Sequence, residues 1–229
     1  MQYLGGKKSI AKELARILES YRLPASAPFY DVFAGSLAVT AEMSGERHAN
    51  DGNLALINMY RAHIAGWRPA EHVTFEEHAR YRKTQDPADP MTALIAHGCS
   101  FGGMWFSTYA RDRSSAARNF AATAARSLVK TLAKCQDVAL TCCDYRKLEI
   151  PAGALAYCDP PYVGTTAYAG MPKFDTDEFW ATMDAWVARG VTVLVSEYVA
   201  PAGWREVWTR PVRKSRLAGN RVERLFHRA

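Results

Sequence analysis

The chain has 229 residues, 48% of them hydrophobic, and carries 29 lysines and arginines against 23 acids, a net charge of +6. That length and composition suffice for a full buried core and exclude a disordered tail or a small stapled scaffold, while the positive balance is compatible with a polyanionic partner. The five cysteines, Cys99, Cys135, Cys142, Cys143 and Cys158, are odd in number, form no C-x-x-C pair and include a vicinal pair, and read as reduced thiols. No apolar run approaches the roughly 20 residues that span a bilayer. The start, "MQYLGGKKSIAK", lacks the apolar core of a signal peptide. The expectation is a soluble, cytoplasmic protein with no membrane partner.

In chain order, "KKSIAKELARILESY" places Ile10, Leu14, Ile17, Leu18 and Tyr21 on one helical face, and Pro24 stops it. "FYDVF" reads as a buried strand and "AGSLAVTAEMSG" as a glycine-containing turn into a short helix ending near Gly45. "RHAND" is a second short strand, followed by a helix through "LALINMYRAHIAG". After a long middle region come strands at "DVALTCC" and "ALAYC", a helix from about Asp177 to Arg189 and a strand at "VTVLVSE". "REVWT" and "VERLF" pair as a terminal hairpin. Strands alternating with helices predict an α/β fold with a mostly parallel sheet covered on both faces.

Ligands of such sheets bind beyond the carboxyl ends of the strands. The residues there are Gly35 after the first strand, Asp51 after the second, Asp144 after "TCC" and Asp159 after "ALAYC". "AGSLA" taken alone is more often an ordinary turn, and the absence of G-x-G-x-x-G disfavours a nicotinamide dinucleotide. Combined with Asp51, a carboxylate suited to paired ribose hydroxyls, and with Asp144, the rim favours an adenosine-containing ligand. "CDPPY" ends an apolar run with an acid, two prolines and a ring. Two missing donors and two fixed φ angles mean that this segment leaves the sheet as a stiff platform.

"DPPY" after an apolar strand, "YLGGKKS", "DVFAGSLAV" and "NDGNLALINMY", in this order, resemble the successive motifs of the Dam-type (D12 class) DNA adenine-N6 methyltransferases. "TCCDYRKL", "MPKFDTDEFWATM" and "VTVLVSE" extend the likeness over nearly the whole chain. The resemblance implies a Rossmann-like methyltransferase fold with a small helical insertion, divided into a catalytic domain of residues 1–66 and 135–229 and a target-recognition subdomain of residues 67–134. It implies S-adenosyl-L-methionine as methyl donor, S-adenosyl-L-homocysteine as product, no metal, and duplex DNA with a flipped-out adenine as partner of a monomer or weak dimer.

Carried over, the resemblance puts Tyr3, Gly5, Gly6 and Lys7 at the methionine end of the cofactor, with Asp31, Phe33, Ala34 and Gly35 beside it. Asp51 takes the ribose, Asp144 the adenine amino group with Tyr145 alongside, and Asp159 reaches the cofactor as well as the base. Catalysis falls to Asp159, Pro160, Pro161 and Tyr162. The Asp159 carboxylate and the Pro160 carbonyl accept the two N–H groups of the exocyclic amine, so that its lone pair points at the methyl group, and Tyr162 stacks on the base. The chain departs from the family's F-x-G-x-G with Leu37 at the second glycine, which is expected to narrow the cofactor cleft. The same acceptor geometry serves cytosine N4, RNA adenine or a glutamine side chain, and a non-catalytic nucleic-acid-binding relative stays open. Asp159, commonly serine in the cytosine group, favours adenine.

In the middle region "CSFGGMWFSTYARDR" interleaves glycines, aromatics and arginines, as suits a loop that wedges into a base stack. The aromatics serve equally as the subdomain's own small core. Expected DNA contacts are Lys7, Trp105, Tyr109, Arg111, Arg113, Arg126 and Lys130, with Arg126, Lys130 and Lys134 as one basic stripe on a helix. The six histidines show no metal-ligand spacing.

Overall fold

The computed structural model describes residues 2–111, 119–162, 174–212 and 221–229; Arg113 lies outside them. In chain order it contains helix α1 (Ala11–Tyr21), strand β1 (Phe29–Asp31), strand β2 (Arg47–Asn50), helix α2 (Leu54–Ile64) and helix α3 (Phe75–Thr84). There follow a short helix α4 (Met91–Ala93) that runs on as a π-helical turn at Leu94–Gly98, helix α5 (Phe120–Leu132) and strand β3 (Ala139–Thr141). Strand β4 (Leu155–Cys158), helix α6 (Thr176–Ala188), strand β5 (Thr192–Ser196) and the strands β6 (Arg205–Val212) and β7 (Arg221–His227) complete the chain.

The strands form one seven-stranded sheet in the order β3-β2-β1-β4-β5-β7-β6. The first five are parallel, and β7 runs antiparallel to both β5 and β6. This is the expected α/β architecture, a mostly parallel sheet with an antiparallel C-terminal hairpin. The chain leaves β1 toward β2 and β3 on one side and returns to β4 and β5 on the other, so the topological switch point lies between β1 and β4.

Alternation along the strands sorts side chains between the two faces. Leu155 and Tyr157 of β4 pack with Leu14 and Leu18 of α1, whereas Ala156 and Cys158 pack with Phe179, Met183 and Trp186 of α6. Helix starts follow side-chain chemistry: Asn53, Asn119 and Asp175 each accept a backbone N–H of the first turn, and Thr74 with Glu77 forms a reciprocal capping box.

Two expectations are corrected. "AGSLAVTAEMSG" forms only a 3-10 turn at Thr40–Glu42, because Gly35 and Leu37 both take positive φ (44° and 58°) and break any helical run before it. Lys134 is not part of a helical stripe: α5 stops at Leu132, and Lys134 pairs with Glu42 at 2.8 Å.

Candidate active site at the switch point

The carboxyl ends of β1 and β4 bring Asp31 and Asp159 to the rim, and β2 delivers Asp51. Asp31 is buried; its Oδ2 accepts the Thr40 hydroxyl at 2.6 Å, while Oδ1 finds no hydrogen-bond partner among the described residues. Burial, with Asp159 and Asp51 adding negative charge, pushes its pKa up to about 7 against the hydrogen bonds from Thr40. Asp51 accepts the N–H of Gly35 at 2.9 Å and that of Asn53 at 2.8 Å, and burial likewise raises its pKa. The Gly35 turn is closed further by the Tyr60 hydroxyl, which donates to the Gly35 carbonyl. A Cβ on Gly35 would meet the Tyr3 ring at 3.0 Å, which explains the glycine.

Lys7 enters just before α1 and is only 7% exposed. Its Nζ lies 2.8 Å from Asp159 Oδ1, 3.4 Å from Glu223 Oε2 and 4.7 Å from the Tyr162 ring centroid. Burial alone pulls the ammonium's pKa down, but the two carboxylates more than offset it and keep it charged. Burial pushes the Asp159 carboxyl above its ordinary range, and Lys7 pulls it back in part. Tyr162 donates its hydroxyl to Glu223 at 3.0 Å and meets Tyr198 edge-on at 4.7 Å.

Asp144 sits at the rim, with its carboxylate held by the N–H and guanidinium of Arg146, which lowers its pKa. Tyr145 and Phe33 beside it, 5.3 Å apart, join Phe174 and Phe179 in an aromatic wall. Leu37 does not narrow the cleft. Its side chain is fully buried among Ala49, Ala55, Leu56 and Leu94, so the departure from glycine is felt as backbone strain, not as a blocked site.

The expected DNA contacts divide. Trp105 and Tyr109 pack against the small core of Val73, Ile95, Cys99 and Phe106, and both polar tips are satisfied, by Gln85 and by the Val73 carbonyl. Arg111 lies over the rings of Phe75 and Tyr109, and Arg126 and Lys130 are exposed on α5. Phe101, by contrast, is 68% exposed. Its turn is anchored to the N-terminal loop: Leu4 donates to the Gly103 carbonyl, and a Cβ on Gly103 would come within 2.8 Å of the Tyr3 nitrogen.

Sequence reasoning missed Asn50 and Glu223. The Asn50 side chain donates to Val32 and Cys143 carbonyls and accepts the Cys143 N–H, tying the ends of β1 and β3 together. The signal for Glu223 was an acid alternating with Leu225 in "VERLF". Among the described residues no group of three or more His, Cys, Asp or Glu is placed to hold a metal, and no helix is long and apolar enough to cross a membrane.

Residues 3–89 match the model of the D12 class N6 adenine-specific DNA methyltransferase family, as the resemblance implied. Among solved structures the chain is similar to a conserved hypothetical protein of Streptococcus pyogenes, at 13% identity and TM-score 0.37 over 89% of this chain and 86% of that one. It is similar to a "putative methylase" of Haemophilus influenzae at 9% identity and TM-score 0.43, covering 95% and 87% of the two chains. A "putative methyltransferase" of Escherichia coli follows at 14% identity and TM-score 0.41, covering 100% and 89%.

Proposed function

We infer, from the D12-class family match and the carboxylates gathered at the switch point, that the protein transfers a methyl group from S-adenosyl-L-methionine to N6 of adenine in DNA. The buried Asp31, with an oxygen that lacks a hydrogen-bond partner among the described residues, and the partly buried Asp51 and Asp159 suit a ligand that is cationic at sulfur and at its ammonium, so the residues present fit the methyl donor that the family implies. Tyr3, Gly5, Gly6, Lys7, Asp31 and the Phe33–Gly35 turn would hold its methionine end, Asp51 its ribose, and Asp144 with the Phe33 and Tyr145 rings its purine. When bound, it supplies a methyl group already activated at a positively charged sulfur.

The chain's part is orientation and electrostatics. The exocyclic amine of adenine is a poor nucleophile because its lone pair is delocalised into the ring. The Asp159 carboxylate and the Pro160 carbonyl accept its N–H groups, favour a pyramidal nitrogen and stabilise the positive charge that grows on it during transfer. Pro160 and Pro161 fix the carbonyl direction, and the Tyr162 ring offers a stacking face. The exposed Phe101, fixed to the loop that carries Lys7, is suited to enter the base stack when the adenine leaves it, while Arg126 and Lys130 meet phosphates. The subdomain of residues 67–134 thereby serves target recognition, and the remainder of the chain serves catalysis.

The observation that carries this reading is Asp159 at the switch point, beside Asp31 and within reach of Lys7. The test is incubation of the purified protein with unmethylated DNA and labelled cofactor, followed by nucleoside mass spectrometry. N6-methyladenine is expected from the wild type and none from Asp159→Ala with its fold retained. Label retained in the variant would remove Asp159 from the chemistry.

A further inference from the structure

Glu223 has no assigned role, yet it stands in the middle of the catalytic group. Strand β7 pairs with β5 only through Leu225–His227, against Ser196–Leu194, so Glu223 projects two residues past the end of β5, over the rim. Leu225 packs on the α1 face of the sheet with Tyr157. Period-2 alternation puts Glu223 and Asp159, each two residues away from one of these, on that same face, where Lys7 enters ahead of α1. The side chains of Lys7, Asp159 and Glu223 are 7%, 18% and 15% exposed, so their charges interact with little screening. A single oxygen, Glu223 Oε2, takes both the Lys7 ammonium at 3.4 Å and the Tyr162 hydroxyl at 3.0 Å.

We propose that Glu223 is a positioning residue for methyl transfer: it shares the Lys7 ammonium with Asp159, so that the ammonium does not fully neutralise that carboxylate, and it fixes the Tyr162 ring. One ammonium against one carboxylate would be a neutral pair. One ammonium against two carboxylates has a net charge of −1, which complements the positive charge that develops on the attacking amine. The hydroxyl bond from Tyr162, together with the edge contact from Tyr198, holds the ring that faces the base.

The role rests on the transfer reading above, and the tests separate the two. Glu223→Gln keeps the shape and removes the charge. Its kcat is expected to fall roughly ten- to a hundredfold with little change in KM for the cofactor. Because the Glu223 charge is one of the influences that raise the Asp159 pKa, the acid limb of its kcat/KM profile moves to lower pH. Glu223→Asp retains the charge and is expected to keep the limb in place while recovering part of the rate. A loss that was only structural would lower activity in both variants without moving the limb. A double-mutant cycle of Lys7→Met and Glu223→Gln, read by thermal unfolding, reports the shared ammonium without any activity, and non-additive shifts are expected. An active wild type with an unchanged Glu223→Gln profile, or additive unfolding shifts, would overturn the role of Glu223 alone. A wild type that transfers no methyl group would overturn the transfer reading and the role with it.

Discussion

The substitution Asp31→Asn removes a titration that the fold makes unfavourable. Burial, with Asp159 and Asp51 nearby, pushes the Asp31 carboxyl from its ordinary 3.8 up to about 7. The folded state therefore holds a proton, between those two values, that the unfolded chain has already released. Stability attributable to this group falls as pH rises from about 4 to about 7 and is flat above. Across the full gap, at 1.36 kcal/mol per pH unit, the cost is about 4 kcal/mol, of which about 2.5 kcal/mol accrues between pH 5 and pH 8. The asparagine side chain would keep an acceptor for the Thr40 hydroxyl and place an amide where the partnerless oxygen now lies. Unfolding by urea at pH 5, 6, 7 and 8 is the assay. The variant is expected to gain about 2.5 kcal/mol on the wild type between the ends of that range, or roughly 5–10 °C in Tm for a chain of this size. Asp51 and Asp159, whose pKa values are also raised by burial, leave a slope of their own in both proteins, so the difference reports Asp31 together with its coupling to them. Parallel stability profiles would refute the reasoning.

Leu37 tests the strain argument. At φ 58° a leucine costs about 1 kcal/mol that glycine would not, yet its side chain fills the core. Leu37→Ala keeps the strain and opens a cavity, with a loss of about 3–5 kcal/mol. Leu37→Gly should be more stable than Leu37→Ala by up to about 1 kcal/mol, the reverse of the usual order, and urea unfolding of the pair decides it. For the DNA-facing surface, Arg126→Ala and Lys130→Ala should each lower the slope of log K against log salt by about 1 without changing the base methylated. An unchanged slope in a filter-binding titration would take these side chains off the phosphates.

Much of this molecule was legible in its sequence because the relevant signals are local. Apolar runs alternating with 3.6-period segments pointed to the strands β1 to β5 and to the helices α1, α2 and α6, and the hairpin of β6 and β7 followed from two short alternating runs. Asp51 and Asp159 were readable as rim residues because a carboxylate directly after a parallel strand falls at the ligand-binding edge whatever the rest of the chain does. Leu37 marked a departure from a motif, but the direction of its side chain depends on φ and on neighbours from α2 and α4, so an expectation of a narrowed cleft became a finding of buried strain. Trp105, Tyr109 and Phe101 are one aromatic cluster in sequence, and only the packing of α3 against the π-helical turn separates the two core rings from the exposed one. Lys7, Asp159 and Glu223 come from the start, the middle and the end of the chain. Sequence determined which side chains carry charge and which face of each element they share. The order of the sheet, with β7 inserted beside β5, decided that one ammonium would sit between two carboxylates, because such an encounter depends on long-range burial that no local pattern encodes.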